Sequence, residues 1–209
     1  MNDHTVDLWW ASVASFETAL DRLEAQLAVD ERQRAERFRI AAPRHRFVLA
    51  RVLLRRVLGG LVDTRPSSLV FAAGTHGKPH LALPGFANPP RFNLSHSGDV
   101  VVLAVAPDEI GVDVEGRREI PRAERLACRF FSEDESRVVH GLDGAARDHA
   151  FLRIWTQKEA YLKATGIGVG MPLCEVETEP DPDAPPRLVS VAGDSSEAAR
   201  WTLFEAEIP

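Results

Sequence analysis

Seven consecutive apolar residues, four of them valine, run from Val100 to Ala106 near the middle of the chain. The run is far shorter than the roughly twenty residues a membrane-spanning helix needs. Its β-branched content favours an extended backbone, so it reads as a buried strand. Pro107, Asp108 and Glu109 follow as a turn, and residues 110–115 read as a second strand, so the pair predicts a hairpin.

The rest of the chain arranges itself around this centre. Upstream, the pattern predicts a strand over 6–13, an amphipathic helix over 16–28, and a second helix capped by Asp30 and running through Phe38. Pro43 opens a third helix over 44–58, which Gly59 and Gly60 are expected to stop. Short strands over 68–72 and 79–83 flank a turn at 74–78, and 84–90 is a Pro/Gly-rich connection. Downstream, Ser132 and Glu135 have capping-box spacing at the start of a helix. A long helix over about 145–165 is closed by Gly166, and 180–186 is a Pro/Asp loop. Strands near 174–178, 188–192 and 201–206 complete the chain. The order strand, helices, strands thus recurs after residue 106, which predicts an α+β fold of two halves, 1–106 and 107–209, without a residue-level repeat.

Composition narrows the function classes. A hydrophobic fraction of 44% and a charged fraction of 27% in 209 residues are those of an ordinary globular protein. Residues 1–6 include Asp3 and lack the basic-then-apolar order of a signal peptide, so a cytoplasmic protein with no membrane partner is expected. Cys128 and Cys174 have no metal-like spacing and read as buried free thiols. A net charge of −6 argues against bulk nucleic-acid binding. Arginines from Arg32 to Arg56 nevertheless crowd the first third, which suits a compact anion or a set of solvated helix faces. Of 25 basic residues only Lys78, Lys158 and Lys163 are lysine. Lysine is a compact point charge, so these are positions where the arginine fork would not serve, or they are chance.

Four constellations carry potential chemistry. In Gly111-Val112-Asp113-Val114-Glu115, strand alternation would put Asp113 and Glu115 on one side and both valines on the other. Paired carboxylates suit Mg²⁺; a solvated strand face is the commoner outcome of such a pattern. In Trp155-Thr156-Gln157-Lys158-Glu159-Ala160-Tyr161-Leu162-Lys163, residues Trp155, Glu159 and Lys163 stand four apart on one helix face. Glu159 and Lys163 are either a surface ion pair or a carboxylate ligand or base beside a phosphate contact. Asn93-Leu94-Ser95-His96-Ser97 offers small polar groups and an imidazole at a strand entrance, and Gly77-Lys78-Pro79 offers a lysine before a stiffened strand.

Taken together and in this order, these motifs resemble the Sfp-type 4′-phosphopantetheinyl transferases over about residues 34–170. The resemblance implies a pseudo-twofold pair of similar α+β halves with coenzyme A in the cleft between them. It implies Mg²⁺, or Mn²⁺ in its place, on Asp113, Glu115 and Glu159, with Lys163 against the phosphate under attack. His96 matches the phosphate-contacting histidine, with Ser95 beside it, Lys78 and Pro79 match the adenine-lining segment, and Arg34 and Arg46 the basic positions of the 3′-phosphate side. One basic position of well-known members is Glu31 here, followed by Arg32. Members usually continue into one more apolar strand, so either a short C-terminal sheet or a truncated chain is expected. The implied reaction moves 4′-phosphopantetheine from coenzyme A to a serine of an acyl or peptidyl carrier protein, with Asp113, Glu159 and Lys163 as its catalytic groups and a monomer as the working state. Arg117, Arg118, Arg122 and Arg125 are either the docking surface for the carrier's acidic helix or an ordinary basic loop. A metal-dependent phosphohydrolase and a non-enzymatic coenzyme A-binding module are the rival readings, and the full set of acids with Lys163 speaks against the second.

Overall fold

The computed structural model describes residues 5–208 apart from Thr75, Pro84 and Ala87, so parts of the 74–78 turn and the 84–90 connection, with residues 1–4, lie outside the described residues. The chain divides into two compact units, Met1–Val114 and Glu115–Pro209.

The first unit contains β1 (Asp7–Ser12), α1 (Leu20–Glu24), α2 (Val29–Glu36), α3 (Ala41–Leu61), β2 (Phe71–Ala73), β3 (Pro79–Leu81), β4 (Arg91–Ser97) and β5 (Val100–Ala106). The apolar run is β5, the middle strand of an antiparallel sheet ordered β1-β5-β4. Val101 to Ala106 are at most 4% exposed. Val101, Leu103 and Val105 pack against α3, joining two apolar clusters with Val48, Val52, Leu54 and Leu58. The short hairpin β2-β3 stands apart from the main sheet.

The expected hairpin partner of β5 is wrong. β5 turns back onto β4, with Ser97 paired to Val100 across the two-residue turn Gly98-Asp99. Gly98 there has a φ of 54°, the left-handed region that such a turn requires. The segment after β5, residues 107–122, contains no regular strand. The helix expected over 16–28 is a 3₁₀ turn, Ala14–Ala19, followed by α1 alone. Nor do Gly59 and Gly60 stop α3, which continues to Leu61. A Cβ on Gly59 would lie 2.6 Å from the Thr64 carbonyl oxygen, so this glycine admits the returning chain into contact with the helix.

The second unit contains α4 (Ala123–Phe130), α5 (Glu133–His140), α6 (Gly144–Thr165), β6 (Val176–Thr178), β7 (Leu188–Val191) and α7 (Ser195–Ala198). The capping box forms as expected: Ser132 N–H donates to Glu135 Oε2 at 2.8 Å and Glu135 N–H to Ser132 Oγ at 3.4 Å. Gly166 closes α6 with a φ of 73°. α6 is the spine of the unit. Its first half packs Phe151, Leu152 and Ile154 against α4 and α5, and its second half packs Tyr161 and Leu162 against β6 and β7.

The strand expected over 201–206 does not form. Side chains hold that segment instead. Trp201 Nε1 donates to Glu197 at 2.9 Å, and Glu205 is gripped by Arg153 Nε at 2.7 Å and Gln157 Nε2 at 2.6 Å, both from α6. Among the described residues no helix is long and apolar enough to cross a membrane.

Candidate active site

In the first unit the site residues are organised by the pleat of β4. Phe92 and Leu94 point to the α3 side and join its clusters. Asn93 and Ser95, two residues apart and both buried, point the other way. They meet the acidic segment: Asn93 Oδ1 accepts from Val112 N–H at 3.0 Å, and Ser95 Oγ accepts from Val114 N–H at 3.3 Å. Ser95 Oγ also donates to Asp113 Oδ1 at 2.9 Å. The backbone needs that a neighbouring strand would have met are met here by two side chains. This is why an alternating sequence runs alongside the sheet without being a strand. The expected partition of valines inward and acids outward is not seen either, since residues 110–115 are all half-buried.

The same pleat separates Ser95 from His96, which is exposed. The turn beyond His96 is fixed from two directions. Arg46, from α3, donates to Gly98 O at 2.9 Å. Asp99 accepts from Ser12 Oγ and from Ala14 N–H, the latter at 3.2 Å, and these bonds, Ser12 foremost, hold its carboxyl below the ordinary range. Arg34 lies over the Phe47 ring at 5.1 Å. Lys78 donates to Glu109 Oε2 at 2.6 Å and to Ile110 O at 3.1 Å, tying the turn before Pro79 to the start of the acidic segment.

Glu31 stands where a basic residue was expected, and the structure explains it. Its side chain is buried, with Arg55 Nε at 2.5 Å, Arg51 beside it, and the Ala28 N–H donating at 3.1 Å. Glu31 is the charge centre around which two arginines of α3 fold, so it is a structural position.

In the second unit Glu115 is paired with Arg118 at 2.6 Å. On α6, Trp155, Glu159 and Lys163 form a half-buried stripe beside the buried Lys158, Tyr161 and Leu162, as their spacing predicts. Trp155 is anchored by Phe151, stacked at 6.0 Å, and Phe130, edge-on at 5.9 Å. That packing fixes the rotation of the helix that carries Glu159 and Lys163.

Lys158 is different from the other two lysines. It is completely buried and pairs with Glu135 at 2.6 Å. It also donates to Leu173 O at 3.1 Å and to Val176 O. Burial pushes its ammonium below the ordinary lysine value, with Glu135 opposing. Glu135 in turn accepts from the Thr178 N–H and hydroxyl, both at 2.8 Å. Sequence reasoning missed this network and the scaffolding roles of Asn93 and Glu109. For Asn93 the signal was available, because residues two apart on a strand share a face.

Among the described residues no group of three or more His, Cys, Asp or Glu side chains forms a ready-made metal cage. By donor chemistry the candidate acids fit Mg²⁺: Asp113, Glu115 and Glu159 offer only hard carboxylate oxygens, and all three residues are half-buried, with the Asp113 Oδ2 atom itself buried.

Comparison with known proteins bears on the whole chain. A family model described as the 4′-phosphopantetheinyl transferase N-terminal domain matches residues 7–108, and one for the 4′-phosphopantetheinyl transferase superfamily matches residues 109–206. The 4′-phosphopantetheinyl transferase HetI of Nostoc sp. is 37% identical over 201 residues, covering 96% of this chain and 81% of the relative. The 4′-phosphopantetheinyl transferase Sfp of Bacillus subtilis is 30% identical over 153 residues, 73% of this chain and 66% of the relative. A solved holo-(acyl-carrier-protein) synthase from Bacillus anthracis, in complex with coenzyme A, aligns with a TM-score of 0.40 at 20% identity, covering 48% of this chain and 91% of that one.

Proposed function

Since the chain belongs to the 4′-phosphopantetheinyl transferase superfamily, we propose that it transfers 4′-phosphopantetheine from coenzyme A to a serine of an apo acyl or peptidyl carrier protein, with Mg²⁺, and releases 3′,5′-ADP. The observation that carries the residue assignment is the clamp on the acidic segment. Ser95 and Asn93 fix the backbone on both sides of Asp113, and Ser95 orients its carboxylate. One buried side chain of β4 thus holds the carboxylate and both hold the backbone around it, so the position of Asp113 is fixed before any ligand arrives.

Asp113, Glu115 and Glu159 are the proposed Mg²⁺ ligands. Bound there, the ion would supply positive charge for the phosphoryl oxygens. Lys163, one turn along α6 from Glu159, neutralises the phosphate under attack. His96 and Arg46 bind further phosphate oxygens, with Arg34; Ser95, buried and with its one hydroxyl hydrogen given to Asp113, holds the acid and not the phosphate. Lys78 and Pro79 line the nucleotide base. The serine hydroxyl attacks the β-phosphorus and loses its proton to Glu159, directly or through a water, while 3′,5′-ADP leaves.

The test is to incubate the protein with coenzyme A, Mg²⁺ and an apo carrier and to weigh the carrier intact. The carrier gains one phosphopantetheine. Glu159→Gln and Lys163→Ala each slow the gain by about a hundredfold or more, the scale of losing one preorganised charge partner. A folded protein that modifies neither acyl nor peptidyl carriers would overturn the assignment.

A further inference from the structure

Cys128 lies outside the transferase residues and is exposed, against the expectation of a buried thiol. It sits near the end of α4, on the ridge between two hollows. One, of about 480 Å³, is lined by Phe131, Ser136, Arg137 and His140 among others. The other, of about 670 Å³, is lined by Arg122, Arg125 and Arg129 with Pro121 and Leu126.

The polar neighbours of the sulfur are arranged for proton transfer. His140 Nδ1 lies 2.7 Å from the Ser136 carbonyl oxygen, which can only accept, so Nδ1 carries the hydrogen. In the neutral ring Nε2 is then the acceptor, and it lies 3.6 Å from Cys128 Sγ. Ser136 Oγ donates to the same sulfur at 3.6 Å. His140 is the last residue of α5. Glu133 lines the first hollow beside Cys128, and Arg125 and Arg129 line the second.

We propose that Cys128 is a modification site that exchanges with anionic low-molecular-weight disulfides. His140 Nε2 takes the thiol proton, and the sulfur attacks one sulfur of the incoming disulfide. The old S–S bond breaks as the Cys128 mixed disulfide forms. The departing thiolate takes the proton from His140 and leaves as a thiol, so the incoming disulfide is the oxidant. The three arginines of the second hollow receive the negative groups of the incoming molecule.

Cys174, also exposed, is an internal control. The full chain is treated with dithiobis-nitrobenzoate, a disulfide bearing two carboxylates, and peptide masses assign each phase of thiolate release. Cys128 reacts about tenfold faster than Cys174, and cystamine, a cationic disulfide, shows no such preference. Cys128→Ser removes the fast phase. His140→Gln slows it about tenfold and leaves the Cys174 phase unchanged, which also reports that the fold survives. Arg125→Ala with Arg129→Ala slows the anionic reagent and not cystamine. Equal reactivity of the two cysteines, or a fast phase indifferent to His140→Gln, overturns the proposal.

Discussion

The ion pair of Lys158 and Glu135 shows how a single buried charge can organise more than its own contacts. Glu135 caps α5, neutralises Lys158 on α6 and bonds Thr178 on β6. Removing one partner of such a pair leaves the other charged and buried, which typically costs about 3–5 kcal/mol. Lys158→Met should lower stability by that amount in urea or guanidinium unfolding. A loss below about 1 kcal/mol would mean that the pair is dispensable. Asp99 supplies the pH-dependent counterpart. Its carboxyl is held below the ordinary value, so its contribution is present above about pH 4, the unfolded value, and is lost as pH falls through the folded value. The gap in urea midpoint between wild type and Asp99→Asn should therefore be open at neutral pH and should close in acid. A gap unchanged at about pH 3 would show that charge is not what holds the turn.

At the scale of elements, what could be read from the sequence was what local rules control. The run Val100–Ala106, the Ser132–Glu135 box and the Gly166 stop each depend on residues a few positions apart, and each formed as expected. The stripe of Trp155, Glu159 and Lys163 also follows from helical spacing alone. The failures share a different cause. Residues 110–115 and 201–206 look like strands, but side chains of β4 take the Val112 and Val114 N–H groups of the first and side chains of α6 grip the Glu205 carboxylate of the second, and no periodicity encodes that. Gly59 and Gly60 look alike in sequence, yet only Gly59 faces the Thr64 carbonyl. Gly59→Ala should destabilise by about 1–3 kcal/mol through overpacking. Gly60→Ala, with no atom in its way, should stabilise by about 0.5–1 kcal/mol through the helix preference for alanine. Thermal or urea unfolding of the two variants should move in opposite directions; the same sign for both would refute this account.

Over the whole molecule, the apolar clusters and the acids are separate populations. None of the four clusters includes Asp113, Glu115 or Glu159. Chelation should therefore abolish carrier modification while leaving the far-ultraviolet circular dichroism and the unfolding midpoint unchanged, and Mg²⁺ should restore the reaction. Unfolding on addition of EDTA would mean that the metal is part of the scaffold. Which residues serve chemistry was legible only in part. Spacing left the acids and Lys163 open between a solvated face and a site, and the resemblance of the combined motifs carried their proposed assignment, whereas Glu31 reads as a misplaced nucleotide contact until its arginines are seen around it.

The burial of Lys158 has a bearing on genetics. Lys158 and Lys163 sit in one nine-residue motif, and a screen for lost transfer would return substitutions at both. On the role proposed for Lys163, the phenotypes would coincide while the causes differ, one allele lowering the amount of folded protein and the other its turnover. Cooler growth or a compensating stabiliser elsewhere in the second unit should rescue Lys158 alleles and leave Lys163 alleles silent.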